Sequence, residues 1–219
     1  MGPPSYKAVL FDLGGVLVTD IWEPMKEWLS ARYGLNPPDL NAFGKEVVWN
    51  DEFACKPDHQ DERVLYDRLI DRFGIPATPA DLAARVKTFV RPIPGMMDLV
   101  RELKGRGLTI GICSNNNEFW YARQRDALDL ERIVDRSRIV LSCRVGAKKP
   151  RPEIVREAVS KTGVDPAACV FVDDRPNNVL AAVDQRLAGI PFPEFKDPLG
   201  GSRYLRRLFE GLGVLPSGS

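Results

Sequence analysis

The chain has 219 residues, of which 44% are hydrophobic and 28% charged, and its formal net charge at pH 7 is +1. This balance is typical of a globular protein and provides no excess of positive charge for nucleic acid or for an anionic membrane. The apolar runs are too short to span a bilayer, and the first residues lack the apolar region of a signal peptide. We therefore expect a cytoplasmic protein that binds neither nucleic acid nor membrane. For its oligomeric state we expect a monomer or a homodimer.

The cysteines and the histidine exclude several kinds of chemistry. The cysteines form no CxxC pair, and without a secretion signal all are expected to be reduced thiols: Cys55, Cys113, Cys143 and Cys169. His59 is the only histidine and lies in a polar stretch, where we expect a solvated loop. A single histidine excludes mechanisms that need two, and no His-rich zinc site is available.

Short apolar runs predict strands that are buried on both faces of a parallel sheet. These runs are residues 8–11, 108–113, 138–141 and 169–172. Apolar residues at helical spacing lie between them, for example Met96, Leu99 and Leu103. Alternation of strands and helices predicts an α/β fold in which helices cover both faces of the sheet.

Residues 21–94 differ from the rest of the chain, because they contain four helical patterns and no convincing strand. Glycines end or interrupt three of these patterns, at Gly34, Gly44 and Gly74. The following Pro92-Ile93-Pro94-Gly95 is typical of a hinge. The sequence therefore predicts a helical cap over residues 21–94 and an α/β core made of residues 1–20 and 95–219.

The first predicted strand ends in a lone carboxylate, Asp12, which is followed after Leu13 by Gly14 and Gly15. An ionised carboxylate is costly to place against a core unless something pairs with it. The glycines allow a sharp turn and the close approach of a ligand. Asp12 is therefore a candidate nucleophile or metal ligand, and the alternative is an aspartate that caps a turn.

Two later motifs carry groups that suit an anion. Ser114 and Asn115 follow the second strand and can donate hydrogen bonds to an anionic oxygen, although the same residue types also cap helices. Lys149 precedes a proline, which favours an extended backbone. In that conformation Lys149 can reach a pocket and neutralise a carboxylate and a phosphate, whereas a lysine pair taken alone is more typical of a solvated face.

The last motif places Asp173 and Asp174 directly after a buried strand. Adjacent carboxylates repel each other and need a cation, and oxygen ligands without His or Cys favour a hard ion such as Mg²⁺. The alternative is a charged turn in which Asp174 caps the helix that begins near Pro176. Ligands of open parallel sheets bind at the carboxyl ends of the strands, where we expect the four motifs to meet.

The motifs FDLGGVL, SNN, KKPRPE and VDDRPNN occur in the order found in the haloacid dehalogenase (HAD)-like hydrolase superfamily, which this chain resembles over about residues 6–20 and 95–195. The resemblance implies a Rossmann-like core with a helical cap inserted after the first strand. It is strongest for phosphatases with a DLG-type first motif. It therefore implies a Mg²⁺-dependent phosphatase that acts on a small phosphorylated metabolite such as a sugar phosphate.

The resemblance also implies how the substrate is bound and attacked. Asp12 would be the nucleophile that forms an aspartyl-phosphate. Ser114 and Asn115 would bind the phosphoryl oxygens. Lys149 would contact the phosphoryl group as well, fix Asp12 and stabilise charge in the transition state.

For the metal, the resemblance implies that Mg²⁺ is held by Asp12, by the backbone carbonyl of Gly14 and by Asp174. Asp173 and Asn178 would support the site from beside it. These assignments agree with the general chemistry of phosphoryl transfer, in which the protein contributes mainly positioning and electrostatics.

The sequence departs from the phosphatase pattern at Gly14, where an aspartate usually acts as general acid and base. Such help accelerates a reaction by roughly 10²–10⁴-fold. A cap residue or a water could replace the missing acid, the substrate could have a good leaving group, or the enzyme could be weak or inactive. Arg151 also stands where an acid is common.

Two other functions remain open at this point. A 2-haloacid dehalogenase would use Asp12 to attack carbon without a metal, but its last motif usually lacks the acid pair found here. A non-catalytic protein of the same fold would explain the missing acid at Gly14. The cap is expected to select the leaving group, and its candidate lining residues are Trp22, Trp49, Phe53 and Lys56, although the aromatic ones could instead pack the cap.

Overall fold

The computed structural model describes residues 5–57 and 61–216, so His59 lies outside the described residues. Within these ranges, the centre of the protein is a parallel five-stranded sheet with the order β3-β2-β1-β4-β5. The strands are β1 (Ala8–Phe11), β2 (Thr109–Ser114), β3 (Ile139–Leu141), β4 (Cys169–Asp173) and β5 (Ala188–Pro191). The predicted α/β fold and its first four strands are confirmed, whereas the sequence pattern missed β5, whose glycine and proline disfavour a strand.

The helices fall into two groups along the chain. The first group, within residues 21–94, consists of α1 (Trp22–Tyr33), α2 (Pro37–Phe43), α3 (Asp51–Ala54), α4 (Glu62–Phe73) and α5 (Pro79–Lys87). The remaining helices alternate with the strands or follow them: α6 (Met96–Gly105), α7 (Glu118–Leu128), α8 (Ser142–Val145), α9 (Pro152–Thr162), α10 (Pro176–Asp184) and α11 (Gly200–Gly211). None of the helices in the described ranges has both the length and the apolar character needed to cross a membrane.

The two faces of the sheet are covered by different helices. Val9 and Phe11 belong to an apolar cluster with residues of α6 and α11. Ala8 and Leu10 belong to a second cluster with residues of α9 and α10. Successive side chains of a strand point to opposite faces, so every residue of β1 is buried. The continuous apolar run in the sequence has this cause.

The helical insert, residues 21–94, has its own apolar cluster, to which Trp120 of α7 also contributes. Gly34 and Gly74 follow α1 and α4 with φ of 67° and 61°, as expected for glycines that end helices. At Gly44 the chain changes from α2 to one π-helical turn, Gly44–Val48. A Cβ at Gly44 would lie 2.5 Å from Trp22 Nε1, so this glycine lets α1 and α2 approach each other.

The two segments that join the insert to the sheet contact each other. Thr19 N donates to Arg91 O at 2.9 Å, and Ile93 N donates to Leu17 O at 2.9 Å. These bonds place the end of the insert beside its start, a few residues after the end of β1. The insert therefore lies next to the carboxyl end of the sheet.

We expect Phe209→Ala in α11 to lower the free energy of unfolding by about 3–5 kcal/mol, because it leaves a cavity under the sheet. Phe209 is fully buried, and its ring meets that of Phe11 edge to face at a centroid distance of 6.5 Å. Urea unfolding followed by tryptophan fluorescence measures the change. Leu180→Ala is the control, since Leu180 is 61% exposed, and equal losses in the two variants would contradict this account of the core.

Candidate active site

The polar motifs meet at the carboxyl end of the sheet, beside the insert. Asp12 follows the central strand β1, and Ser114 and Asp173 end its neighbours β2 and β4. Lys149 comes from the loop between α8 and α9. A cavity of about 660 Å³ opens here. It is lined by Asp12, Ser114, Lys149 and Asp174 from the core and by Ile21, Lys45 and Trp49 from the insert, among others.

The ammonium group of Lys149 is fully buried between two carboxylates. Its Nζ lies 3.0 Å from Asp12 Oδ1 and 2.6 Å from Asp173 Oδ2, and it donates to the carbonyl of Cys113 at 2.8 Å. Burial opposes its charge, but the charges of Asp12 and Asp173 outweigh that effect and raise the pKa of Lys149. The solvated-face alternative is therefore wrong for Lys149, which stays charged.

This cluster contains three carboxyl groups, those of Asp12, Asp173 and Asp174, around the single ammonium group of Lys149. Burial raises the pKa of Asp12, against the opposing charge of Lys149. Burial and the charges of Asp12 and Asp173 raise the pKa of Asp174 to about 7. The negative charge left over is what a bound cation would neutralise.

The donor set fits a metal ion. Oxygens of Asp12, Asp173 and Asp174 lie within 4.8 Å of one another. Asp173 already accepts from Lys149 at one oxygen and from Arg175 N and Asn178 Nδ2, both at 2.9 Å, at the other. By contrast, Asp174 Oδ1 is buried and has no hydrogen-bond partner in the described part of the chain. Asp12 and Asp174 are therefore available to a cation, while Asp173 holds Lys149.

Backbone geometry brings Asp174 close to the first loop. Gly15 has φ of +78°, and a Cβ there would lie 2.6 Å from Asp174 Oδ2. Only a glycine suits both this backbone conformation and this contact. The helix-cap alternative for Asp174 is wrong, because Arg175 precedes α10 at the cap position and no side chain caps that helix.

Residues 114–117 include side chains that line the cavity and a residue that caps a helix. Ser114 is buried, and its hydroxyl group opposes the rise in the pKa of Asp12 that burial causes. Asn115 lines the cavity, but its side chain also binds both backbone groups of Lys149, donating to O at 2.9 Å and accepting from N at 2.7 Å. Asn117 caps α7 by accepting from Trp120 N at 2.8 Å. Asn115 thus also holds the loop between α8 and α9 that carries Lys149, which we call the lysine loop. The sequence alone did not predict this role.

Contacts to the insert explain Arg151. Its guanidinium lies 2.5 Å from Asp51 Oδ2 at the start of α3, and Lys148 Nζ lies 3.0 Å from Asp51 Oδ1. Lys148 also donates to the carbonyl of Trp49. Hydrogen bonds from Arg151 and Lys148 lower the pKa of Asp51. Asp51 and Trp49 of the insert therefore bind the lysine loop on both sides of Lys149.

The expected cap lining is confirmed only for Trp49. Trp22 and Phe53 are buried in the apolar cluster of the insert, and Lys56 is exposed and does not line the cavity. The sequence missed Trp120 of α7, whose ring meets that of Trp49 edge to face at 5.8 Å. Both residues are tryptophans, and their identity in the sequence does not distinguish a core position from a cavity wall.

A family model for haloacid dehalogenase-like hydrolases matches residues 6–184. The chain belongs to this family. It is 30% identical over 190 residues to flavin mononucleotide hydrolase 1 of Arabidopsis thaliana, covering 84% of this chain and 71% of that protein. It is 28% identical over 205 residues to a sesquiterpene phosphatase of Aspergillus oryzae, covering 93% and 97%.

Solved structures of the family have the same fold. A HAD family enzyme of Bacteroides thetaiotaomicron, crystallised with magnesium and inorganic phosphate, matches with a TM-score of 0.69 and 19% identity over 88% of this chain and 97% of that chain. The protein is therefore an enzyme of the HAD-like hydrolases with their α/β core. The sequence resemblance to the family is confirmed.

We expect metal-free protein to lose stability as pH rises, and Asp174→Asn to reduce this loss. The folded-state pKa of Asp174, about 7, lies above its ordinary value of 3.8, so between these values the native state binds more protons than the unfolded state. The free energy of unfolding therefore falls as pH rises through this window. At pH 7.5 the variant should be roughly 1–3 kcal/mol more stable than the wild type, and at pH 3.5 this advantage should be absent.

Urea unfolding in EDTA at both pH values measures this difference. Asp184→Asn, at the exposed end of α10, is the control and should follow the wild type. An Asp174→Asn variant that is less stable than the wild type at pH 7.5 would contradict the assignment of excess negative charge to this cluster.

Proposed function

We propose that the protein is a Mg²⁺-dependent phosphatase that hydrolyses a small phosphorylated metabolite, such as a sugar phosphate, through an aspartyl-phosphate on Asp12. One observation carries this proposal: the buried Lys149 ammonium pairs with Asp12 beside the unpartnered oxygen of Asp174. A nucleophile, a fixed positive charge and a carboxylate that can bind a cation are what phosphoryl transfer requires. The phosphatase and nucleotide-hydrolase relatives support the same reaction class.

In this proposal, an oxygen of Asp12 attacks phosphorus while the bond from phosphorus to the leaving oxygen breaks. Lys149, with Ser114 and Asn115, stabilises the negative charge on the phosphoryl oxygens. Water then attacks the aspartyl-phosphate, releases phosphate and restores Asp12. Lys149 keeps its proton throughout, since Asp12 and Asp173 hold it in the charged form.

Asp12, Asp174 and the carbonyl of Gly14 would hold Mg²⁺, which when bound supplies positive charge to the phosphoryl oxygens. Asp173 and Asn178 would act indirectly. Asn178 donates to Asp173, and Asp173 accepts from Lys149, so this chain of contacts sets the position of the ammonium.

The helical insert would serve as a cap, with its boundaries at residues 21 and 94. Ile21, Lys45 and Trp49 line the same cavity as the carboxylates of Asp12 and Asp174. A phosphoryl group at Asp12 would therefore direct its leaving group toward these side chains. The cavity volume of about 660 Å³ suits a small metabolite.

The dehalogenase alternative is less well supported. Attack on a carbon-halogen bond needs no cation, yet Asp174 places a second carboxylate beside Asp12. A non-catalytic role is also less well supported, because the buried charges of Asp12, Asp173 and Lys149 are costly to maintain without a function.

Asp12→Asn is expected to abolish phosphate release, because the amide is not a nucleophile toward phosphorus. A colorimetric phosphate assay with Mg²⁺ over sugar phosphates, acyl phosphates and nucleotides measures this effect. Asp184→Asn serves as the matched control, since Asp184 is exposed at the end of α10. Full activity of Asp12→Asn, or no release by the wild type from any substrate, would overturn the proposal.

Mg²⁺ together with beryllofluoride, a mimic of the aspartyl-phosphate, should raise the Tm of the wild type by about 5 °C or more, because ligands that bind only the native state stabilise it. Asp174→Asn should lose most of this shift, whereas Asp184→Asn should keep it. Differential scanning fluorimetry measures both. Chloride release from 2-chloropropionate in EDTA would instead favour the dehalogenase.

A further inference from the structure

The proposed reaction lacks an obvious proton donor. When the bond from phosphorus to the leaving oxygen breaks, that oxygen carries negative charge unless an acid protonates it. Gly14, two residues after Asp12, has no side chain that could do so. Another proton donor is therefore expected among the groups nearest to Gly14 in the described part of the chain.

The space beside Gly14 faces the carboxyl group of Asp20. A Cβ built on Gly14 would lie 3.7 Å from Asp20 Oδ2, 3.8 Å from Asp20 Cα and 3.9 Å from Gln124 Nε2. Asp20 and Gln124 both line the cavity that holds Asp12 and Lys149. Of these two side chains only Asp20 can transfer a proton, because an amide is neither acid nor base at neutral pH.

We propose that Asp20 replaces the acid that Gly14 lacks and is a catalytic residue of the phosphatase reaction. This inference rests on the proposed function. The carboxyl proton of Asp20 passes to the leaving oxygen as its bond to phosphorus breaks and the bond to Asp12 forms. The resulting Asp20 carboxylate then takes a proton from the water that attacks the aspartyl-phosphate, so the carboxyl group is restored when phosphate leaves.

The surroundings of Asp20 suit this role. Its Oδ1 accepts from Glu23 N at 3.0 Å at the start of α1, which fixes the side chain and leaves Oδ2 near Gly14. Burial raises the pKa of Asp20, whereas the bond from Glu23 N and the charge of Arg175 oppose the rise. An acid with a raised pKa retains its proton closer to neutral pH.

A purely structural role in starting α1 is the competing explanation, and Asp20→Asn separates the two. Asparagine can still accept from Glu23 N but cannot act as an acid. The measurement is kcat/KM for p-nitrophenyl phosphate and for phenyl phosphate, which have similar shape. Nitrophenolate leaves readily without a proton, whereas phenolate is more basic and needs one.

Asp20→Asn should lower kcat/KM for phenyl phosphate by about 10²-fold, and for p-nitrophenyl phosphate by about 10-fold or less. Asp61→Asn is the matched control, because Asp61 accepts from Arg63 N at the start of α4 but does not line the cavity. It should not change the ratio between the two esters.

Gly14→Asp in the Asp20→Asn background provides a test of rescue. The nearest contacts of a Cβ at Gly14 are ordinary van der Waals distances, so the backbone there accepts a side chain. The double variant should recover at least 10-fold in kcat/KM on phenyl phosphate, and Gly14→Asn in the same background should not.

Equal losses on both esters, or no loss on either, would overturn the role of Asp20. Those results would leave the proposed function intact, since the wild type still releases phosphate. No release of phosphate by the wild type from either ester or from the wider substrate panel would overturn both proposals.

Discussion

The buried ion pair between Lys149 and the carboxylates of Asp12 and Asp173 is the interaction on which the rest of the site depends. Burying one of these charges without the others would cost several kcal/mol. The ammonium is therefore held from several sides: by two carboxylates, by the carbonyl of Cys113 and, through the backbone of its loop, by Asn115. The order of the strands brings the two carboxylates together, because Asp12 and Asp173 lie at the ends of the neighbouring strands β1 and β4.

Adjacent aspartates at the end of β4 have different surroundings although the sequence presents them as a pair. Asp173 is fully buried, and both of its carboxylate oxygens accept hydrogen bonds from the protein. Asp174 lies against Gly15 and keeps a buried oxygen without a protein partner. Asp173 is the last residue of β4, whereas Asp174 lies in the turn before α10, so the change of role coincides with the end of the strand.

Local patterns were sufficient to predict much of this structure. Buried strands and polar residues at their ends are short-range features, so β1 to β4 and the meeting of Asp12, Ser114, Lys149 and Asp174 could be expected from the sequence. The strand β5 could not, since Gly189 and Pro191 give it the composition of a turn. The contact of the insert with the lysine loop could not be predicted either. Asp51 and Arg151 are 100 residues apart, and no local periodicity encodes such a contact.

The ion pairs that Asp51 forms with the lysine loop respond to salt differently from the ion pairs of Lys149. Arg151 and Asp51 are about half exposed, so salt screens their attraction, whereas the pair of Lys149 with Asp173 is fully buried and the pair with Asp12 nearly so. Ionic strength therefore acts on the contact between insert and core without weakening the charge that holds Asp12. Added salt therefore weakens the contact of the insert with the loop that carries Lys149 more than it weakens the buried pair of Lys149 with Asp173.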